Sequence, residues 1–206
     1  MTHDGLLIDF GGVMTTNVFE SFAAFCRAEG LDPDTVKDRF RDDQAARDLL
    51  GALEEGRLSN ADFEAQFAVM LGVADDEGLI ARLFGGMQPD PAMFDAVAAA
   101  RRVGIRTGLV SNSWGEEGYD RARFDELFDV LVISGELGMR KPAPEIYALA
   151  AERLGRPPER CVFVDDLPGN LKPARALGMA TVVHRGDAAA TLDEVGELLG
   201  VRLNQR

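Results

Sequence analysis

The sequence predicts an α/β fold, in which a Rossmann-like parallel sheet is sandwiched by helices and a helical cap is inserted after the first strand. Two observations predict it. Short apolar runs alternate with amphipathic helical segments over most of the chain, a pattern typical of βαβ units and a parallel sheet. Residues 16–87 break this alternation, because they contain no strand-like run and have the pattern of successive helices.

Five apolar runs are the predicted strands. They occupy residues 6–10, 106–110, 130–133, 161–164 and 180–183. Each has the length and composition of a strand that is buried on both faces. The first run stops at Gly11 and Gly12, as expected where a strand meets a loop that needs a permissive backbone.

Capping and breaking residues predict where the intervening helices begin and end. Asp90 can cap a helix that begins at Pro91. Pro144 opens another helix, which ends at Gly155. A further helix is predicted over residues 170–177.

These elements predict two domains. Residues 1–15 and 88–206 form the α/β core, and residues 16–87 form the helical cap. The cap segment holds 15 acidic and 7 basic residues, so it carries most of the chain's net charge of −13.

The composition limits the partners of this chain of 206 residues. Because a polyanion is bound mainly through clustered Lys and Arg, we expect neither a nucleic acid nor a membrane surface as a partner. Cys26 and Cys161 lie in apolar stretches and are too few for a disulfide framework or a zinc site. No apolar stretch approaches the roughly 18 residues of a membrane span, so we expect a cytoplasmic location. The oligomeric state is left open.

Polar residues that can carry chemistry lie at the end of four of the predicted strands or in the loop that follows. They are Asp9, Ser111, Asn112, Lys141, Asp165 and Asp166. Each residue alone also fits an ordinary role as a cap, a turn residue or a solvated charge. In an open parallel sheet, however, ligands bind at the carboxyl ends of the strands, so these side chains are expected to share one crevice. Carboxylates that repel one another there favour a cation, and hard oxygen ligands without His or Cys favour Mg²⁺.

Lysine usage points to one of these residues. The chain has 19 Arg and only three Lys, at positions 37, 141 and 172. A Lys in such an Arg-rich sequence indicates that a compact point charge is needed. Pro142 and Pro144 stiffen the loop that carries Lys141.

Four sequence motifs surround these residues. They are LIDFGGV (7–13), LVSNSW (109–114), RKPAPEIY (140–147) and VFVDD with NLKPAR (162–166 and 170–175). In this order they resemble the four motifs of the haloacid dehalogenase superfamily of aspartate-nucleophile hydrolases. The last two are most similar to the N-terminal phosphatase domain of soluble epoxide hydrolase. The resemblance covers the core closely and the cap only loosely, and it implies the strand order 5-4-1-2-3.

The resemblance implies a Mg²⁺-dependent phosphatase that acts on a small phosphorylated metabolite. Asp9 would be the nucleophile, forming an aspartyl phosphate that water then hydrolyses. The metal would be held by Asp9, the backbone carbonyl of Gly11 and Asp166. Asp165 and Asn170 would lie just outside the metal ligands and orient them.

The same resemblance assigns the phosphate contacts. Ser111 and Asn112 would bind oxygens of the transferred phosphoryl group. Lys141 would be both catalytic and phosphate-binding, because it would neutralise charge on Asp9 and on the phosphoryl group.

Gly11 departs from the family pattern. Phosphatases of this superfamily usually have a second Asp at that position as general acid and base, and losing such a group typically costs about 10²- to 10⁴-fold in rate. A substitute acid would be sought in the cap, where Asp42 and Asp43 are adjacent. Two alternatives stay open: a metal-independent 2-haloacid dehalogenase, which the pair Asp165 and Asp166 disfavours, and a catalytically weak module that binds metal and phosphate.

Overall fold

Five parallel strands form the sheet of the computed structural model, which describes residues 3–114 and 121–204. They are β1 (Gly5–Ile8), β2 (Arg106–Ser111), β3 (Val130–Ile133), β4 (Cys161–Asp165) and β5 (Ala180–Val183). Their order across the sheet is β3-β2-β1-β4-β5, which is the predicted order counted from the other edge. Every neighbouring pair is parallel. The predicted α/β fold is therefore confirmed.

Eleven α-helices surround the sheet or lie in the segment after β1, within the described residues. They are α1 (Val18–Ala28), α2 (Thr35–Asp42), α3 (Gln44–Glu54), α4 (Asn60–Leu71), α5 (Leu79–Phe84), α6 (Pro91–Arg102), α7 (Arg121–Leu127), α8 (Ser134–Leu137), α9 (Pro144–Leu154), α10 (Pro168–Ala176) and α11 (Ala188–Leu199).

Two element boundaries differ from the prediction by two residues, and the other strand ends agree to within one residue. The first strand ends at Ile8, because Phe10 turns away and its backbone N–H donates to Oδ1 of Asp9 at 2.7 Å. The helix predicted over residues 170–177 begins two residues earlier, at Pro168, and ends at Ala176. Proline has no N–H to satisfy and suits the first helical position, so it starts this helix.

The sheet is covered by helices on both faces because its strands alternate. In β1, Leu6 and Ile8 pack into one apolar cluster, which includes residues of α6, α7 and α11. Leu7 points the opposite way, into a second cluster with residues of α9 and α10. All three side chains are buried, so the carboxyl end of β1 is held rigidly from both sides.

The helices α1 to α5 share an apolar cluster of their own. The chain leaves the sheet and returns to it along one short stem, where Thr16 N–H donates to Gln88 O at 2.8 Å and Asp90 N–H donates to Met14 O at 2.9 Å. We keep residues 16–87 as the proposed cap domain and call them the cap. None of the described helices is long and apolar enough to span a membrane, and both cysteines are free and buried.

Gly108 lies in the centre of β2, and a substitution there tests how tightly the side chains pack around the sheet. A Cβ added there would be 2.7 Å from Cγ2 of Val130 and 2.8 Å from Cδ2 of Leu7. We expect Gly108→Ala to lower the free energy of unfolding by about 1–3 kcal/mol, as overpacking does, measured by urea denaturation. Gly169→Ala is the control, because a Cβ there meets nothing within 4 Å. In α10 it should leave stability unchanged or raise it, and equal losses in both variants would contradict the packing argument.

Candidate active site

A buried ammonium joins two carboxylates at the carboxyl ends of β1 and β4. Lys141 Nζ lies 2.7 Å from Oδ1 of Asp9 and 2.8 Å from Oδ2 of Asp165. Lys141 is 2% exposed, Asp9 7% and Asp165 0%. In so dry a site the three charges are mutually dependent, since none has bulk water to replace a lost partner.

Asp165 is held by α10 as well as by Lys141. The side-chain amide of Asn170 lies 3.1 Å from each Asp165 oxygen, and the backbone N–H of Leu167 donates to Oδ1 at 2.8 Å. Asp165 is thus surrounded by donors that fix its orientation. Its predicted role beside the metal ligands remains a prediction.

Asp166 completes a cluster of three carboxylates. Oxygens of Asp9, Asp165 and Asp166 all lie within 4.8 Å of one another. Gly12 makes room for this cluster, since a Cβ at Gly12 would be only 2.5 Å from Oδ2 of Asp166. The φ of Gly12 is +75°, in the region that favours glycine.

Burial and repulsion make two carboxyl groups of this cluster, Asp9 and Asp166, costly to ionise. Burial raises the pKa of Asp9 to about 8; Lys141 opposes the shift and Asp165 adds to it. Burial, with repulsion from Asp165, raises the pKa of Asp166 to about 6. For Lys141, burial alone would lower the pKa, but attraction to Asp9 and Asp165 more than offsets it and the pKa is raised. The cluster therefore has one permanent cation for three carboxyl groups.

The donor set fits a hard divalent cation. Three carboxylates converge with only one ammonium among them, and carboxylate oxygens are ligands of Mg²⁺. The predicted ligand Gly11 lies in the loop directly after Asp9 and is half-buried. Its backbone is outside the left-handed region, and a Cβ there would be 3.2 Å from Cγ2 of Val18. The position usually held by the second Asp of the family thus faces an apolar side chain.

The predicted phosphate-binding residues lie at the end of β2. Ser111 is buried, and its hydroxyl is 3.4 Å from the carbonyl of Asn112. Asn112 accepts from the Lys141 backbone N–H at 2.8 Å, and its Nδ2 donates to the Lys141 carbonyl at 3.0 Å. Nδ2 also lies 3.3 Å from Oε2 of Glu54. Both amide hydrogens of Asn112 thus have protein acceptors, and phosphoryl binding by Asn112 remains a prediction.

Glu54 is a site residue that sequence reasoning missed. It is the last residue of α3 in the cap, is 5% exposed, and accepts from Arg140 Nη1 at 2.7 Å. Burial raises the pKa of Glu54 to about 7, and Arg140 and Asn112 oppose the shift. In the sequence, Glu54 is one of two consecutive glutamates at the end of an amphipathic segment, a pattern that normally indicates a solvated helix end.

The cap carboxylates considered as a substitute acid have other partners. Asp42 is exposed and pairs with Arg41 at 2.7 Å. Asp43 is the N-cap of α3 and accepts from the Ala45 backbone N–H. Neither residue has a described contact with the carboxylate cluster.

Trp114 connects the loop after β2 to the cap. Its ring centroid lies 4.9 Å from that of Phe84, 5.7 Å from Phe40 and 5.8 Å from both Phe22 and Phe63. Most of these contacts are edge-to-face, a favourable arrangement for aromatic rings. Trp114 therefore packs as part of the apolar cluster of the cap.

The sequence that carries these motifs and this site geometry matches one known protein family. The model of the haloacid dehalogenase-like hydrolases matches residues 3–178. The chain belongs to this family. The match includes all the residues of the carboxylate cluster and Lys141, and it confirms the resemblance found in the sequence. The chain is thus a haloacid dehalogenase-like hydrolase.

Two relatives and one solved structure illustrate the similarity. Bifunctional epoxide hydrolase 2 of Rattus norvegicus is 36% identical over 117 residues, which are 53% of this chain and 21% of that protein. Glyceraldehyde 3-phosphate phosphatase of Methanopyrus kandleri is 33% identical over 108 residues, which are 50% of this chain and 46% of that protein. Both matches span less than half of the relative's length.

The structural match extends over nearly the whole chain. A HAD-like family hydrolase from Porphyromonas gingivalis superposes with a TM-score of 0.74 at 23% identity, covering 97% of this chain and 98% of that chain. At this identity the likeness shows the fold alone.

Lys141→Ala tests the electrostatic arrangement without reference to activity. Removing the ammonium leaves Asp9 and Asp165 buried without their cation, which typically costs about 3–5 kcal/mol. We expect a loss of this size in the free energy of unfolding, measured by urea denaturation with EDTA present. Lys172→Ala is the control, because Lys172 is exposed, and should change stability by less than about 0.5 kcal/mol. Equal losses would mean that Lys141 does not stabilise the carboxylates.

Proposed function

We propose that this hydrolase is a Mg²⁺-dependent phosphatase, which cleaves phosphoric monoesters of small metabolites through an aspartyl phosphate on Asp9. The observation that carries the proposal is the contact of Lys141 Nζ with Asp9 inside the cluster of three carboxylates. A nucleophilic carboxylate, a fixed cation beside it and a cluster of hard ligands are what phosphoryl transfer requires. The phosphatase among the relatives supports the same reaction.

The first half-reaction is attack by Asp9. Lys141 Nζ and the Phe10 backbone N–H both contact Oδ1 of Asp9. Oδ2 has no hydrogen bond or ion pair with the described residues, so it is the oxygen that would attack phosphorus. A bond forms between this oxygen and phosphorus while the ester P–O bond breaks, and the leaving oxygen departs with its electron pair. Lys141 offsets the charge that develops on Asp9 and on the phosphoryl group. Ser111 and Asn112 would add polar contacts to the phosphoryl group, and since both side-chain amide hydrogens of Asn112 have protein acceptors, its contact would come from the backbone N–H.

The second half-reaction is hydrolysis of the aspartyl phosphate. Water adds to phosphorus, the bond to Asp9 breaks, and inorganic phosphate leaves with the carboxylate regenerated. Asp9, the Gly11 carbonyl and Asp166 would hold Mg²⁺, with Asp165 and Asn170 orienting them. When bound, the ion lowers the repulsion within the cluster, keeps Asp9 ionised and polarises the phosphoryl oxygen.

The Asp9→Asn variant tests the nucleophile. An amide is no nucleophile for phosphorus, so turnover of a panel of phosphate esters should fall by at least about 10³-fold, measured as phosphate release with and without Mg²⁺. Asp166→Asn is the companion variant and should raise the Mg²⁺ concentration needed for half-maximal rate. Full turnover by Asp9→Asn, with mass spectrometry showing an intact amide, contradicts the mechanism. Wild-type turnover without metal contradicts the Mg²⁺ assignment, and binding without turnover favours the non-catalytic module.

Because Gly11 carries no acidic side chain, we predict that the enzyme prefers substrates with good leaving groups. Without an acid at this position an alkoxide has to depart unprotonated, whereas the aryl oxide of an aryl phosphate or the carboxylate of an acyl phosphate leaves unaided. We therefore expect a steep dependence of kcat/KM on leaving-group pKa across aryl and alkyl phosphates. Gly11→Asp should flatten this dependence by accelerating alkyl esters. The φ of Gly11 lies outside the left-handed region, and among the described residues Val18 is the one near the new Cβ and has to shift by a few tenths of an ångström.

Gly11→Asn is the matched control for this experiment. It has nearly the same size as Gly11→Asp and cannot transfer a proton, so it should keep the steep dependence of the parent. If the Gly11→Asp variant folds, binds Mg²⁺ and shows the same steep dependence of kcat/KM on leaving-group pKa as the parent, proton transfer to the leaving group does not limit the rate.

A further inference from the structure

Glu54 is a cap side chain that contacts two of the catalytic loops. It ends α3, and its backbone carbonyl accepts from the hydroxyl of Ser134 at the start of α8. The same hydroxyl accepts from the backbone N–H of Ser113 at 2.8 Å. The end of α3 is thus tied both to α8 and to the loop after β2.

The carboxylate of Glu54 faces two donors from the core. Arg140 Nη1 lies 2.7 Å from Oε2, and Asn112 Nδ2 lies 3.3 Å from the same oxygen. Arg140 also lies against Gly51 one turn earlier in α3, where a Cβ would be 3.1 Å from Nη2. Such a contact is tighter than ordinary van der Waals distance, so α3 and the guanidinium group are closely packed.

Both partners of Glu54 bear directly on Lys141. Arg140 precedes Lys141 in the chain, and Asn112 bonds both the N–H and the carbonyl of the Lys141 backbone. At its other end the Lys141 side chain contacts Asp9 and Asp165. A continuous series of contacts therefore runs from the cap, through Glu54 and Asn112, to the ammonium beside the nucleophile.

We propose that Glu54 is a positioning residue, which fixes Asn112 and Arg140 when the cap is docked and so holds the Lys141 ammonium against Asp9. Two donors converge on one oxygen of Glu54, which is the arrangement of an acceptor that holds its neighbours in place. The proposal rests on the proposed phosphatase function. It gives the cap a part in assembling the catalytic site, because undocking α3 would remove the acceptor from both partners.

Glu54→Gln is the principal test, because it keeps the size of the side chain and removes its charge. Glu55→Gln is the matched control: Glu55 lies 3.6 Å from the same Arg140 and pairs with Arg57, but has no contact with Asn112 among those described. With p-nitrophenyl phosphate and saturating Mg²⁺, we expect kcat to fall about 10-fold in Glu54→Gln with KM within about 2-fold, the pattern of a lost transition-state interaction. Glu55→Gln should keep at least half of the parental kcat.

A second measurement does not depend on activity. The Lys141 N–H donates to Asn112, so its hydrogen exchange, followed by NMR without substrate, reports on this segment. We expect exchange of that amide to be at least about 5-fold faster in Glu54→Gln and unchanged in Glu55→Gln. If the wild type turns over no phosphate ester but the exchange still responds in this way, the proposed function fails and the positioning link stands.

Arg140→Gln keeps the proposal testable if Glu54→Gln does not fold. This variant removes the same ion pair from its more exposed side, and kcat should fall while KM stays constant. If Glu54→Gln folds, adding it to Arg140→Gln should cost less than it does alone, because the contact between Glu54 and Arg140 is already lost in Arg140→Gln. Three results would each overturn the proposal. The first is that kcat and the exchange rate are unchanged in Glu54→Gln, and the second is that Glu54→Gln and Glu55→Gln have equal effects. The third is that the losses in kcat of Glu54→Gln and Arg140→Gln are fully additive.

Discussion

The ion pair of Lys141 with Asp9 and Asp165 is the interaction on which the site depends. A sheet buried on both faces brings Asp9 and Asp165 to the carboxyl ends of the adjacent strands β1 and β4, where both side chains are buried. The Lys141 ammonium offsets the repulsion between the two carboxylates, and Asn112 anchors the loop that carries Lys141. The buried charges of Lys141, Asp9 and Asp165 would destabilise the folded core if they were unpaired, and they are also the charges that a phosphoryl-transfer site needs.

The features that the sequence predicted are those set by local chemistry. Pro91 after Asp90 starts α6, Gly155 in the left-handed region ends α9, and the apolar runs form the strands, because each signal acts within a few residues. The proximity of Asp9 to Asp165 could also be predicted from the sequence, since parallel strands align their carboxyl ends.

The features that escaped prediction depend on how the cap lies on the core. Glu54 and Arg140 are 86 positions apart, and nothing in the local pattern of either residue indicates its partner. The engagement of the Asn112 amide with the Lys141 backbone is similarly non-local. Sequence patterns locate these groups on helices and loops, whereas only tertiary packing decides which of their hydrogen-bonding atoms are already occupied.

The stem between sheet and cap has a consequence for how this fold tolerates change. Thr16 and Gln88 are bonded to each other, so the ends of the insertion stay together whatever lies between them. The entropy of closing a loop grows only with the logarithm of its length, and tripling the insertion would cost about 1 kcal/mol. The α/β core can thus accept caps of different size at this point, and under the positioning role proposed for Glu54 each such cap has to present an acceptor to Asn112 and Arg140.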